Sequence, residues 1–392
     1  MGPDGQVLIV GGGIGGLAAA LALERRGIAS RVIEAREHPS EAGAGLQVGP
    51  NGTRILETLG IADALRDLAG RPEAILVRDA TTGAELARMP LGGWIASRHG
   101  APYWTLHRAD LHAALVARAR SLGRITLDTG RVVDVADTGN ERAKVRLTSG
   151  SEQDGVAIVA ADGLWSGIRA SSFGAAAPAP VGVSAARAVV PASAVAAGER
   201  THVGLWLSAA CHVVHYPVRG GAEIALVVVF PDAHGAGAAA WDTALPVDRI
   251  GALATRTATP LQAMLAAVPS WRVWDLHRVA PVLMGRGRIA LLGDAAHHIR
   301  PHLAQGAVMA LEDAVVLASS IAAAPGDPAA ALARYAALRR PRVERVAAAS
   351  QQNGVIFHMQ GVAAFARDTA MRMLGGERLM RRYDWLYGWR DA

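Results

Sequence analysis

Cysteine is nearly absent from this 392-residue chain: Cys211 is the only one. That excludes an intrachain disulfide and points to a reducing compartment, the cytoplasm. Lysine is as scarce, since Lys144 is the only one among 40 basic residues and the rest are arginine. With Ala and Gly abundant, this reads as a GC-rich coding bias, and the net charge of +6 does not argue for a polyanion. No basic run interleaved with aromatics occurs, so nucleic acid is not an expected partner. One apolar stretch could be mistaken for a signal peptide or a membrane span. This stretch, residues 7–23, carries five glycines and has no basic stretch before it, so it is read as strand, turn and helix, and the chain is expected to be soluble. His297, His298 and His302 cluster, but without cysteine or carboxylate companions at zinc spacing, so no metal is expected. At 51% hydrophobic and 19% charged the chain is globular, and its length suggests two or three lobes.

What is present begins at residue 7. Val7-Leu8-Ile9-Val10 reads as a buried parallel strand, and Leu17–Glu24 as a helix closed by Gly27. Between them, Gly11-Gly12-Gly13-Ile14-Gly15-Gly16 fits G-x-G-x-x-G. Residues 31–34 form a second strand ending on Glu34, 23 positions after Gly11. The first glycine permits the tight turn, the second lets backbone approach a pyrophosphate, and the third lets helix and strand pack closely. The helix start offers free N–H groups to phosphates, and Glu34 can bond ribose hydroxyls. The pattern predicts a dinucleotide site; from these residues alone its occupant is either FAD or NAD(P).

Further along, the glycines of residues 43–51, Gly45 among them and Gln47 beside it, suit backbone lying against a flat cofactor edge, or an ordinary surface loop. A helix is expected over 52–59, strands over 74–90 with a turn at Thr81-Thr82-Gly83, and a helix from the Trp104–His112 stretch to about Leu122. Arg108 at that helix start opposes the macrodipole, so either an anionic partner or solvent accounts for it. Short strands fill 125–159; one ends in Asp162-Gly163, with Ser166 and Arg169 at helix-start spacing, and 174–182 reads as a linker. Residues 212–230 read as a β-hairpin. Its alternation places His212, Val214 and Tyr216 on one face and His215 on the other. A buried strand then delivers Gly293-Asp294 at its C-terminal end, where open α/β sheets place ligands. Gln305-Gly306-Ala307 opens a long helix whose N–H groups can hold a carbonyl-bearing ring edge. Beyond Pro325 helices are expected over 335–346 and 362–374, and the aromatic end, 383–389, packs on the body or on a second subunit.

Three separated motifs now line up: Gly11-x-Gly13-x-x-Gly16 with Glu34, Asp162-Gly163-Leu-Trp-Ser166-x-x-Arg169, and Gly293-Asp294-Ala-Ala-His297 with Leu303-Ala-Gln305-Gly306. Together they resemble the flavoprotein aromatic hydroxylases of the p-hydroxybenzoate hydroxylase superfamily, nearest the salicylate hydroxylase and 3-hydroxybenzoate 6-hydroxylase branch. The resemblance implies an α/β chain: a Rossmann-type FAD-binding domain, an inserted β-sheet substrate domain and a helical C-terminal segment. The boundaries expected are 1–178 and 276–325 for the FAD-binding parts, 179–275 for the substrate domain and 326–392 for the helical segment. It also implies bound FAD held by Gly11, Gly13, Ile14, Gly15, Gly16, Glu34, Ala35, Arg36, Gly45, Gln47, Arg108, Asp162, Gly163, Gly293, Asp294, Pro301, Gly306 and Ala307. NADH or NADPH would bind transiently; no second G-x-G-x-x-G exists to hold it separately. The implied reaction reduces the flavin with NAD(P)H and then hydroxylates a phenol or aromatic acid with O₂ through a flavin C4a-hydroperoxide. His212 is the implied base, with Tyr216 and Gln305 as orienting groups. The usual Pro after the Gly-Asp-Ala-Ala-His run is His298 here, and the apolar pair around Pro301 is Arg300 and His302. These charges fit either an anionic substrate or an exposed mouth. An epoxidase or oxygenase acting on a larger indole or polyketide aromatic is the alternative, and a non-catalytic FAD-binding protein the alternative of a different class. The halogenase Trp-x-Trp-x-Ile-Pro stretch is absent. A monomer or homodimer without a membrane span is expected.

Overall fold

A computed structural model of the chain describes residues 5–37, 45–139, 142–232, 243–280 and 283–391. Gly43, within the glycine-rich stretch 43–51, lies outside them.

The buried strand Val7–Val10 sits inside a six-stranded sheet, flanked by parallel neighbours Ala157–Ala160 and Ser30–Glu34. Outward on one side come Ile289–Leu291 and the antiparallel edge Gly285–Arg286; on the other, Ile125–Thr129. Strands buried on both faces need no polar alternation, which is why VLIV and AIVA read as continuous apolar runs. The Ala-rich helix Ile14–Glu24 packs against helix Gly306–Ala323. A Cβ on Gly15 would stand 2.7 Å from Leu292 and 3.3 Å from Ala310, so small residues set that close approach. Gly306–Ala323 is apolar and long enough to cross a membrane, but most of it is buried between its neighbours.

An eight-stranded sheet runs Thr243–Leu245, Trp271–Arg278, Ala179–Pro191, Glu223–Pro231, His212–Val218, Val203–Leu207, Ala74–Asp79, Glu85–Pro90. The early hairpin of residues 74–90 joins it by parallel pairing of Ala74–Asp79 with Val203–Leu207. A short ribbon, Gly45–Val48 against Trp104–His107, bridges the two halves.

Several local expectations shift. Trp104–His107 is that ribbon strand, and the helix runs Arg108–Arg120 with His107 as its N-cap. The stretch read as linker is strand from Ala179, because Ala179–Pro191 finds pairing partners on both edges. The helix expected from Gly52 starts at Pro50, whose fixed φ suits a first turn. Residues 335–346 belong to one long helix, Pro328–Phe357, with Pro341 inside it. The residues flanking that proline anchor the helix: Arg339 to Asp313 and Glu312, Arg342 to Glu312. The aromatic end packs on the body, where Arg54 donates to the carbonyls of Tyr387 and Trp389, each at 2.6 Å.

Candidate active site

Each glycine of the opening turn has a different reason to be glycine. Gly11 has φ +108°, and a Cβ there would lie 2.4 Å from the Ala161 carbonyl oxygen. A Cβ on Gly16 would lie 2.0 Å from the Gly11 carbonyl oxygen, so strand and helix touch through bare backbone. At Gly13 nothing lies within 4 Å; its space is open. The helix starts at Ile14 without a side-chain cap, so its first N–H groups face that opening. Glu34 braces the turn, accepting from the Gly12 N–H at 2.6 Å and the Arg36 N–H at 2.9 Å. Ala35 and Arg36 follow it on the exposed rim. His112, the last residue of the Trp104–His112 stretch, pins the turn from the other side at 2.7 Å from the Gly12 carbonyl.

A cavity of about 270 Å³ gathers residues from the whole length of the chain: Gly13, Ile14 and Gly15 with Gly45, Gln47 and Arg108, Gly163, His212 and Tyr216, and Gly293, Asp294, Pro301, Gly306 and Ala307. Added Cβ atoms at Gly163 and Gly306 would also meet nothing within 4 Å. Helix Gly306–Ala323 has no side-chain N-cap, so its first N–H groups are left for a ligand. Burial pushes the Asp294 carboxyl up, but the neighbouring His298, Arg108 and His297 outweigh it and hold the group below the usual range. Arg108 and Asp294 line the same cavity. Asp162 stands just behind, its carboxyl raised by burial, accepting from the Ile168 N–H at 3.5 Å. Buried Arg169 stitches the two loops, donating to the carbonyls of Leu164 at 2.5 Å and Ala295 at 3.0 Å.

Beneath the Gly293 loop lies a buried ionic knot. Asp313 accepts from His297 at 2.6 Å, from the Gly293 N–H at 2.9 Å and from Arg339 at 2.6 Å. Burial would raise its pKa; His297 and Arg339 hold it at about 2 instead. Glu312 accepts from Arg339 at 3.0 Å, Arg342 at 2.8 Å and Asn51 at 2.8 Å. Asn51 also donates to the Gln305 side chain at 3.0 Å. Gln305 is buried and lines neither cavity, so its amide positions the helix start and its side chain does not project toward a ligand. His297 is likewise part of the foundation. Two adjacent acids, Glu312-Asp313, inside an apolar helix were the visible signal of this knot.

The second cavity, about 570 Å³, shares Gln47, His212, Val214, Pro301 and Ala304 with the first. The hairpin alternation holds: His212, Val214 and Tyr216 all face the first cavity. His215 turns away, accepting from Trp206 at 3.2 Å with its other nitrogen 3.5 Å from Glu199. That carboxylate also takes Arg78 at 2.5 Å and His202 at 3.1 Å, a closed hydrogen-bond network on the far face of the sheet. Tyr216 is buried, which raises its phenol pKa. A Cβ on Gly45 would stand 2.8 Å from the Tyr216 oxygen, so that glycine makes room for the ring. Gln47 accepts from Tyr103 at 2.7 Å.

His212 Nδ1 lies 3.1 Å from His358 Nε2, and His358 Nδ1 lies 2.9 Å from the Gly354 carbonyl. A carbonyl only accepts, so in a neutral His358 ring Nδ1 carries the proton and Nε2 is a lone pair. His212 Nδ1 must then donate to it, which leaves His212 Nε2 as an acceptor. Burial, with His302 and His358 nearby, holds the His212 pKa well below the usual value. His302 packs at 5.3 Å between ring centroids, its pKa lowered to about 4 by burial, His358 and Arg300. The positive charge expected at this mouth is thus not at His302, which is neutral at pH 7. Arg300 lines neither cavity. His358 sits in no motif and only the long helix brings it here.

An open glycine turn at one end, uncapped helix starts along the wall and a buried histidine at the far end form an extended nucleotide-and-ring cleft of the flavoprotein class. Residues 4–350 match the family described as FAD binding domain, and the chain belongs to that family. It is 34% identical over 391 residues to the 3-hydroxybenzoate 6-hydroxylase of Klebsiella oxytoca, covering 98% of this chain and 97% of that protein. It is also 34% identical to the 3-amino-4-hydroxybenzoate 2-monooxygenase of Streptomyces cremeus, covering 98% and 95%. Among solved structures, a single-residue variant of Klebsiella pneumoniae HpxO complexed with FAD superposes with a TM-score of 0.86 at 26% identity, covering 98% of each chain. A salicylate hydroxylase substrate complex shares the fold at TM-score 0.82 and 24% identity, covering 100% of this chain and 97% of that one. The protein is an FAD-dependent aromatic monooxygenase of the p-hydroxybenzoate hydroxylase superfamily.

Proposed function

We propose that this chain hydroxylates a phenolic ring held between the sheet face of His212 and Tyr216 and the Pro301 loop, with NAD(P)H and O₂ as co-substrates. One observation carries the reading: His212 stands where the two cavities meet, buried, with Nε2 as its free acceptor.

The residues present fit FAD. Gly11–Gly16 and the Ile14 helix start would take the pyrophosphate, Glu34 the ribose, and Arg108 and Asp294 the ribityl region. The N–H groups of Gly306 and Ala307 would meet the ring edge, and Asp162-Gly163 would also touch the transient nicotinamide. Bound there, the flavin supplies the electrons that activate O₂. The protein's part is to place and charge the ring. His212 Nε2 accepts the phenolic proton, raising the nucleophilicity of the ring carbon. Tyr216, kept protonated by burial, donates to and orients the substrate. The apolar walls exclude water, which protects the oxygenating species. We place the enzyme in the cytoplasm, acting as a monomer or homodimer. His212→Ala should keep NAD(P)H oxidation but release hydrogen peroxide in place of hydroxylated product; full coupled turnover would remove His212 from the role.

A further inference from the structure

The larger cavity exceeds what a one-ring substrate uses. A cavity of about 150 Å³ already holds benzene, whereas this one measures about 570 Å³. Its far wall is helix Gly361–Leu374, which presents Ala363, Ala366 and Ala370 on the cavity side at three- and four-residue spacing. Arg367 is that helix's one buried residue, and it donates to the carbonyls of Ile356 at 3.0 Å and Phe357 at 3.2 Å. This bracket ties the helix to the preceding one, while alanines leave the space behind it unfilled. The opposite wall is apolar, with Val77, Leu205 and Leu379.

Most of the charge within the chamber is already committed. The Arg367 guanidinium is spent on those carbonyls and on Asp368 at 2.8 Å. His302 and His212 are held neutral, and Arg382 stands exposed on the rim. On the flavin side, Arg187 lies flat on Trp274 at 3.5 Å, two strands from His212. Away from Arg382, a small aromatic acid would bring its carboxylate against a largely apolar lining, an unfavourable transfer.

We propose, resting on the aromatic-monooxygenase reading, that the substrate is a neutral phenol bearing a second ring or hydrocarbon extension, which reaches past His212 into this alanine-walled chamber. The test is calorimetric titration of the FAD-loaded enzyme with phenol, 3-hydroxybenzoate and 2-naphthol, beside NAD(P)H oxidation with each. 2-Naphthol should bind at least about ten-fold tighter than either one-ring compound. Ala366→Phe and Ala370→Phe, on the cavity-side face of helix Gly361–Leu374, should erase that advantage and leave phenol binding unchanged. Equal or tighter binding of 3-hydroxybenzoate, or undiminished 2-naphthol binding in both variants, overturns the proposal alone. Failure of every aromatic to quicken NAD(P)H oxidation overturns the reading beneath it.

Discussion

Replacing His358 by Phe removes the group that selects the tautomer of His212. The ring keeps its volume, but His212 Nδ1–H loses its acceptor at 3.1 Å inside a buried setting. The imidazole relieves this by moving its proton to Nε2, the nitrogen that must be vacant to take the phenolic proton. The lost hydrogen bond is worth about 1–2 kcal/mol when buried, which predicts a roughly 5- to 30-fold fall in kcat with KM little changed. A second signature follows from charge. Burial, His302 and His358 together depress the His212 pKa, so deleting His358 lets it rise and moves the acid limb of the kcat profile upward. His358→Gln, whose amide oxygen accepts from Nδ1–H, should restore most of the rate. The assay is steady-state hydroxylation coupled to NAD(P)H oxidation for the three proteins, across roughly pH 5–9. Unchanged kcat and pH limb in His358→Phe, or a Gln variant as slow as Phe, would refute the tautomer reasoning.

Gly16→Ala places a Cβ 2.0 Å from the Gly11 carbonyl oxygen and should cost about 1–3 kcal/mol in apoprotein unfolding, whereas Gly13→Ala, with nothing within 4 Å, should leave that stability intact while losing FAD affinity. Arg339→Met strands Asp313 in the core and should cost about 3–5 kcal/mol by denaturant titration. Acid should destabilise the protein in two windows. His302, at about 4 when folded against 6.5, contributes fully above the unfolded value and loses about 3 kcal/mol at most as pH falls to 4. Asp313, at about 2 against 3.8, contributes above 3.8 and loses about 2 kcal/mol as pH falls through 2. Equilibrium unfolding at stepped pH, with His302→Phe flattening the first window, checks both assignments.

The nucleotide end was readable from the chain because backbone demands are local. A turn that must pass under Ala161 and a helix that must touch Gly11 leave no choice but glycine, and the spacing repeats that demand in letters. The His212 face was readable for a similar reason: a strand alternates, so one residue fixes the side of the next. What the chain hid is set by long-range closure. His358 meets His212 only because helix Pro328–Phe357 runs unbroken past Pro341. Gln305 took its orienting role from the family resemblance, and nothing local in the chain shows that its side-chain oxygen accepts from Asn51, 254 positions away. His302 looked cationic in sequence, and only its burial beside His358 makes it neutral. Composition misread 179–182 for the same reason, since pairing with distant strands overrides weak local preference.

The central claim joins bound FAD, activation of O₂ and a ring placed against His212. The most direct measurement is ¹⁸O₂ incorporation by the purified, FAD-loaded enzyme with NAD(P)H and 2-naphthol. The account predicts one ¹⁸O atom in the hydroxylated aromatic, with NAD(P)H oxidation accelerated by the substrate. Protein that binds no FAD, or turnover yielding only hydrogen peroxide with this and every other phenol, would contradict it.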